Sequence, residues 1–181
     1  MNGRQLAIDG ITKFMYSKEK GLLLTGTHQL KKHRLIMTLL EEYCQNAKIL
    51  FRINALQNLT SYSFLGLRNP PRAGELMRLG HNYYQFDAMT NSGTWRKSGF
   101  GFNFAIVYPI DYLCKKPYLE PIDDIVNRTD KLFLCSWTDM VEYDFTVFSD
   151  YYTSHVVYDA EEEDIAYHKR VLKSIGGHLY E

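Results

Sequence analysis

LLLTGTHQLKKHRLIMTLLEEYCQNAKILFRI, residues 22–53, holds two apolar runs separated by an amphipathic stretch. Leu22–Thr25 is short and apolar up to its threonine, which is the pattern of a buried strand. Gly26 permits a tight turn, and Thr27 is placed to cap a helix that runs to about Asn46. Within that helix Ile36, Leu39, Leu40, Tyr43 and Cys44 fall on one face. Lys48–Ile53 is the next strand. Strand, helix and strand in this order form a βαβ unit and imply a parallel pair with a right-handed crossover.

Downstream, residues 54–80 are irregular, with Asn69-Pro70-Pro71 stopping regular structure and leaving room for a short helix after Pro71. His81–Met89 reads as a strand, Asn91–Gly99 as a polar loop, and Phe102–Tyr108 as a strong strand ended by Pro109. Pro121 suits the first turn of a short helix through Arg128, followed by the apolar strand Lys131–Trp137. Val141, Tyr143, Phe145 and Val147 alternate with polar residues, which favours a strand with one wet face, a helical stretch being the alternative. Ser154–Tyr158 is the last strand. Asp159 is placed to cap a final helix with Glu162 at the capping-box position, and Gly176 stops it. The expectation is an α/β protein, one domain over residues 1–181. Its central sheet is mostly parallel or mixed, flanked by helices, with a β-rich middle.

The 181 residues carry 21 Lys+Arg against 21 Asp+Glu, so the formal net charge is zero. That balance disfavours a protein whose whole surface grips nucleic acid, while leaving room for a local basic patch. No apolar run approaches the ~20 residues of a membrane helix. The charged N-terminal stretch lacks the apolar core of a secretory signal. A cytoplasmic protein is expected, with Cys44, Cys114 and Cys135 as free thiols.

Four groups of residues invite a chemical reading. Thr25, Gly26, Thr27 and His28 lie between the first strand and its helix, with Lys31 close behind. A helix N-terminus with hydroxyls and a cation suits a phosphate, although no complete Gly-x-x-x-x-Gly-Lys-Ser/Thr loop is present. Asp87, Asp111, Asp139 and Asp159 lie near strand ends. If their strands are parallel, they converge on the edge that carries Thr25 and His28, where Asp111 and Asp139 would hold Mg²⁺ or Mn²⁺. The acidic run Asp159–Asp164 suits a metal patch or a mimic of nucleic-acid charge, although the helix dipole explains it without either. Arg68, Arg72, Arg78, Arg96 and Lys97, interleaved with Tyr62, Tyr83 and Trp95, suit nucleic acid or a protein interface, with Trp95 exposed.

The leading expectation is a protein that binds a phosphate-bearing ligand, a nucleotide or nucleic acid. In its catalytic form it is a metal-dependent phosphoester or nucleotide hydrolase with His28 as acid or base. The competing expectation is a non-catalytic inhibitor or accessory subunit working through Arg68, Arg72, Trp95 and Arg96. Sequestration of a nucleotide without turnover lies between them. His-Glu-x-x-His, Cys-x-x-Cys and Gly-x-Ser-x-Gly patterns are absent, which disfavours a zinc site or a serine nucleophile elbow.

Overall fold

In chain order the elements are α1 (Arg4–Tyr16), β1 (Gly21–Thr25), α2 (Lys32–Tyr43), β2 (Lys48–Ile53), β3 (Leu76–Leu79) and β4 (Asn82–Ala88). They continue as α3 (Ser92–Trp95), β5 (Phe102–Tyr108), α4 (Asp111–Lys115), α5 (Glu120–Val126), β6 (Thr129–Cys135), β7 (Ser154–Val157) and α6 (Ile165–Ile175). These come from a computed structural model that describes residues 2–115, 118–140 and 142–176. Short 3₁₀ segments cover Leu56–Thr60 and Phe145–Tyr151.

All seven strands form one sheet in the order β3-β4-β2-β5-β6-β1-β7. Every pairing is parallel except β3 with β4. The α/β class is therefore the observed one, and the four strands expected to share a sheet stand side by side as β2-β5-β6-β1. The βαβ unit differs from expectation in one respect. β1 and β2 run the same way but are separated by β5 and β6, so α2 bridges a gap in the sheet rather than an adjacent pair.

Strand alternation divides the core between the two faces. Leu22, Leu24, Phe51, Ile106 and Phe133 pack beneath α1 and α2, against Ile11, Phe14, Ile36 and Leu40. Leu23, Leu50, Val107, Leu132 and Leu134 face the other way, against Ile110, Leu113, Ile122 and Ile125 from α4, α5 and the turn before α4. Burial on both faces explains why the parallel strands read as continuous apolar runs. No helix among the described residues is long and apolar enough to cross a membrane.

Local structure departs from the sequence reading at several points. α2 begins at Lys32 rather than after Thr27, so residues 27–31 form a turn in front of the helix. The region after Pro71 holds the edge strand β3 instead of a helix. Residues 145–151 are 3₁₀ rather than strand, with Asp144 accepting the Thr146 N–H at their start, and Val141 lies outside the described residues. The final helix starts at Ile165, capped by Asp164 through the Tyr167 N–H at 2.9 Å, which frees Asp159 for another task.

Candidate functional site

Because β5, β6, β1 and β7 are parallel neighbours, the segments that follow them leave from one edge. Asp111 after β5, Asp139 after β6, the loop Thr25–Lys31 after β1 and Asp159 after β7 all gather there. Asp87 does not join them. It lies inside β4, fully buried, with its two oxygens 2.7 Å from Arg52 Nε and Nη2.

The loop is held closely against the sheet. Gly26 has φ +112°, and a Cβ there would lie 2.3 Å from the Tyr158 carbonyl oxygen, so only glycine fits. Four successive peptide N–H groups each have an acceptor from elsewhere in the chain. Gly26 donates to Asp139, Thr27 to Asp159 at 2.9 Å, His28 to the Tyr158 carbonyl at 3.2 Å, and Gln29 to the Tyr167 hydroxyl at 3.2 Å. Two of the four acceptors are therefore carboxylates. This is where a loop at a helix N-terminus would otherwise present N–H groups to an anion.

Beneath the loop lies Lys32, at the first position of α2 and fully buried. Its ammonium donates to the Gly26 carbonyl and, at 3.3 Å, to the Trp137 carbonyl. No ion pair includes it among the described residues. Burial lowers its pKa, against the pull of Asp139 and Asp111. The sequence reading singles out Lys31 and passes over Lys32. A signal for it is nevertheless present: Gly26-Thr-His-Gln-Leu-Lys31-Lys32-His33 keeps the Gly and Lys spacing of a Gly-x-x-x-x-Gly-Lys-Ser/Thr loop. Lys31 stands where the second glycine belongs, and His33 where the hydroxyl belongs.

His33 has turned into the core. Its ring stacks on Tyr108 at 4.2 Å, and Nε2 lies 3.4 Å from the Phe64 carbonyl. Burial lowers its pKa to about 4.

The acids expected to hold a metal converge but are otherwise committed. Asp111 accepts the Trp137 and Thr138 N–H groups at 2.5 and 2.8 Å. Burial raises its pKa, and those N–H donors and Lys32 pull it part of the way back. Asp139 accepts Ser136 Oγ at 2.6 Å through one oxygen and the Gly26 N–H through the other. Each of the four oxygens thus holds a turn or the loop, and no group of three metal-ligating side chains occurs among the described residues. The two acids expected to hold Mg²⁺ or Mn²⁺ therefore come together with every oxygen already accepting a hydrogen bond.

His28 is placed on the opposite flank of the loop. Its Nε2 lies 3.1 Å from Glu163 Oε1, and its ring packs on Tyr158 at 4.4 Å. No hydrogen bond or ion pair joins it directly to Asp111 or Asp139 among the described residues. Glu163 is the hub on this side, accepting also from Tyr158 Oη at 2.6 Å and Lys31 Nζ at 2.8 Å. Its burial alone would raise its pKa, but Lys31, Tyr158 and His28 overcome that and hold it at about 2. Burial likewise lowers the His28 pKa. Glu163 escapes a sequence reading because an acid near a helix start already has a dipole explanation.

Thr25 Oγ1 lies 2.8 Å from His155 Nε2, while Thr27 Oγ1 accepts the Ala160 N–H at 2.9 Å. Both hydroxyls therefore tie the loop to β7 and the segment that follows it. A cavity of about 170 Å³ adjoins the loop, lined by His28, Leu30, Lys31, Asp164 and Tyr167.

Of the residues expected on a contact surface, Arg68, Arg72 and Arg96 are exposed. Trp95 is not: it is 4% exposed, donates Nε1–H to the Ala88 carbonyl at 2.7 Å, and has Arg52 stacked 4.6 Å above its ring. The polar loop around it points to an exposed Trp. The short helix α3 instead folds it back over the buried Arg52–Asp87 pair.

No family model and no curated protein sequence matches the chain. Among solved structures it is similar to the large terminase of a thermophilic bacteriophage, with TM-score 0.62 and 10% identity over 96% of this chain. The same terminase in complex with ADP gives TM-score 0.59 and 8% identity over 93% of this chain. The chain spans about half the length of that protein, 50% and 48% in the two structures. At such identities the likeness is one of fold: the seven-stranded sheet described above has the architecture of part of a phage terminase.

Proposed function

We propose that the chain is a nucleotide-binding module that does not hydrolyse its ligand, with the loop Gly26–Lys32 receiving the phosphates. The observation that carries this reading is Lys32, a fully buried ammonium beneath a glycine loop, with carbonyl acceptors and no salt bridge among the described residues. Asp139, Asp111 and Asp159 offset its burial only in part and without a direct ion pair, and a phosphate in the loop supplies the missing direct counter-ion. The likeness to a terminase crystallised with ADP favours a nucleotide as the source of that phosphate.

Binding requires Asp139 and Asp159 to give up the Gly26 and Thr27 N–H groups. The two carboxylates occupy these donors as internal substitutes for the ligand. The commitments of the other residues support a reading without turnover. His28 is engaged with Glu163, Asp111 is engaged with two peptide N–H groups, and His33 replaces the loop hydroxyl. Asp139 and Asp159 are the carboxylates that phosphate would release beside the loop, so the phosphate-release assay below decides whether either acts as a base.

The self-occupied loop also favours a second reading, a non-catalytic interaction protein in which the loop is purely architectural. Titration calorimetry with ADP and ATP, with and without Mg²⁺, separates the two. The expected result is saturable binding that falls at least tenfold in Lys32→Met, together with no release of inorganic phosphate from ATP. Steady phosphate release would refute the non-hydrolysing reading. A flat titration would refute nucleotide binding and select the interaction protein.

A further inference from the structure

The chain is neutral overall, but its charge is not evenly spread. Residues 66–100 hold five Lys and Arg side chains, Arg68, Arg72, Arg78, Arg96 and Lys97, against Glu75 and Asp87. Asp87 is fully buried and paired with Arg52, so it offers no compensation at the surface. All five basic residues are exposed, and none is in an ion pair among the described residues.

The fold brings them together from separate segments. A Cβ on Gly74 would lie 2.7 Å from the Lys97 carbonyl oxygen, so the turn that carries Arg72 rests directly on the turn that carries Arg96 and Lys97. Arg78 reaches over the Tyr83 ring at 5.8 Å. Between Leu67 and Met77 an open cleft of about 770 Å³ is lined by Arg68, Asn69, Pro70, Pro71 and Arg72, with Glu75 as its one carboxylate. Next to this patch Phe100 is 70% exposed, its ring backed by the Arg128 guanidinium at 4.4 Å.

From this surface we infer a binding site for the backbone of single-stranded nucleic acid, separate from the nucleotide loop. Unpaired cations on a neutral protein select a polyanion by charge complementarity. An exposed aromatic ring beside them selects a strand with unpaired bases, since stacking needs a free base face. A folded protein partner would bring no such run of phosphates. The sheet order places four strand spacings between β4 and β1, about 19 Å at ~4.8 Å each, so the two sites are distinct. They are nevertheless linked through α2, where Arg34 Nε donates to the Phe64 carbonyl at 2.9 Å in the turn that precedes Arg68.

The test is fluorescence anisotropy with a labelled 20-nucleotide single strand, the matching duplex and polyglutamate, at several salt concentrations. The intact chain is expected to bind the single strand most tightly and polyglutamate poorly. Arg96→Glu with Lys97→Glu should weaken the single strand at least tenfold and flatten the salt dependence by about 1.4 in log–log slope, two phosphate contacts at ~0.7 each. Phe100→Ala should weaken the single strand more than the duplex. If the paired variant fails to fold, Arg68→Glu with Arg72→Glu tests the adjoining turn and should give the same reduction. Polyglutamate binding as tight as the strand would show a general anion patch and overturn the proposal. So would a preference for duplex, or affinities unchanged in the variants.

Discussion

Replacing Asp139 by Asn distinguishes a carboxylate that substitutes for the ligand from one that assists it. In the structure one Asp139 oxygen accepts from Ser136 Oγ at 2.6 Å and the other from the Gly26 N–H. Asparagine can accept from Gly26 through Oδ1 while donating Nδ2–H to Ser136 Oγ, so the Gly26 hydrogen bond survives but loses its charge. It also removes a charge that supports the Lys32 ammonium. A hydrogen bond to a charged group is worth ~1.5–3 kcal/mol against ~1 for a neutral one, so the unliganded Asp139→Asn chain should lose about 1–2 kcal/mol of stability. In the liganded chain the Gly26 N–H belongs to the phosphate, so the hydrogen bond that the substitution weakens is already broken there. The energy removed from the free state therefore appears as affinity. At 1.4 kcal/mol per factor of ten, ADP should bind roughly 5- to 30-fold more tightly. Urea denaturation measures the first quantity and calorimetric titration the second, and the two should agree. Weaker ADP binding in Asp139→Asn would mean that the carboxylate serves the bound state, as a metal-bridging acid would, and would rule out displacement by phosphate.

Three further outcomes are expected. Trp95→Ala should cost ~3–5 kcal/mol in urea denaturation, because the ring is buried and its N–H bonded to Ala88; a cost below about 1 kcal/mol would show the ring is not core. Asp87→Ala should cost a similar ~3–5 kcal/mol by leaving Arg52 and Ser98 Oγ short of an acceptor in the interior, and an unchanged midpoint would contradict the buried pair. Stability should fall as pH drops from about 6.5 toward 4, because burial holds the folded-state pKa of His33 at about 4 and the unfolded chain takes up the proton first. His33→Phe should reduce that slope. It should not abolish it, since burial also lowers the pKa of His28 and His155.

Apolar runs carry most of the fold in plain view. β1, β2, β5 and β6 are largely buried on both faces, so each appears as a hydrophobic segment, and their common sheet could be inferred directly. Edge strand β3 was not legible, because its half-exposed Leu-Met-Arg-Leu is too short and too mixed to carry a period. Convergence of Asp111, Asp139 and the β1 loop followed from parallel strands alone. What those acids do there could not be read from spacing, since it depends on which peptide N–H each carboxylate meets. Lys32 was obscured by Lys31 beside it, as one residue's rotation at the start of α2 separates an exposed ammonium from a buried one. Trp95 misled for a related reason: its polar neighbours indicated a surface loop, while its own ring was committed to covering Arg52.

On the proposed reading, phosphate takes the Gly26 and Thr27 N–H groups now held by Asp139 and Asp159. Amide ¹H–¹⁵N spectra recorded during titration with ADP observe those two groups directly. The expected result is a saturable shift of the Gly26 and Thr27 amides, with the Asp139 and Asp159 carboxyl carbons shifting over the same concentration range. Amides that stay fixed at saturating ADP, or shifts confined to residues away from 25–32, would contradict phosphate binding in this loop.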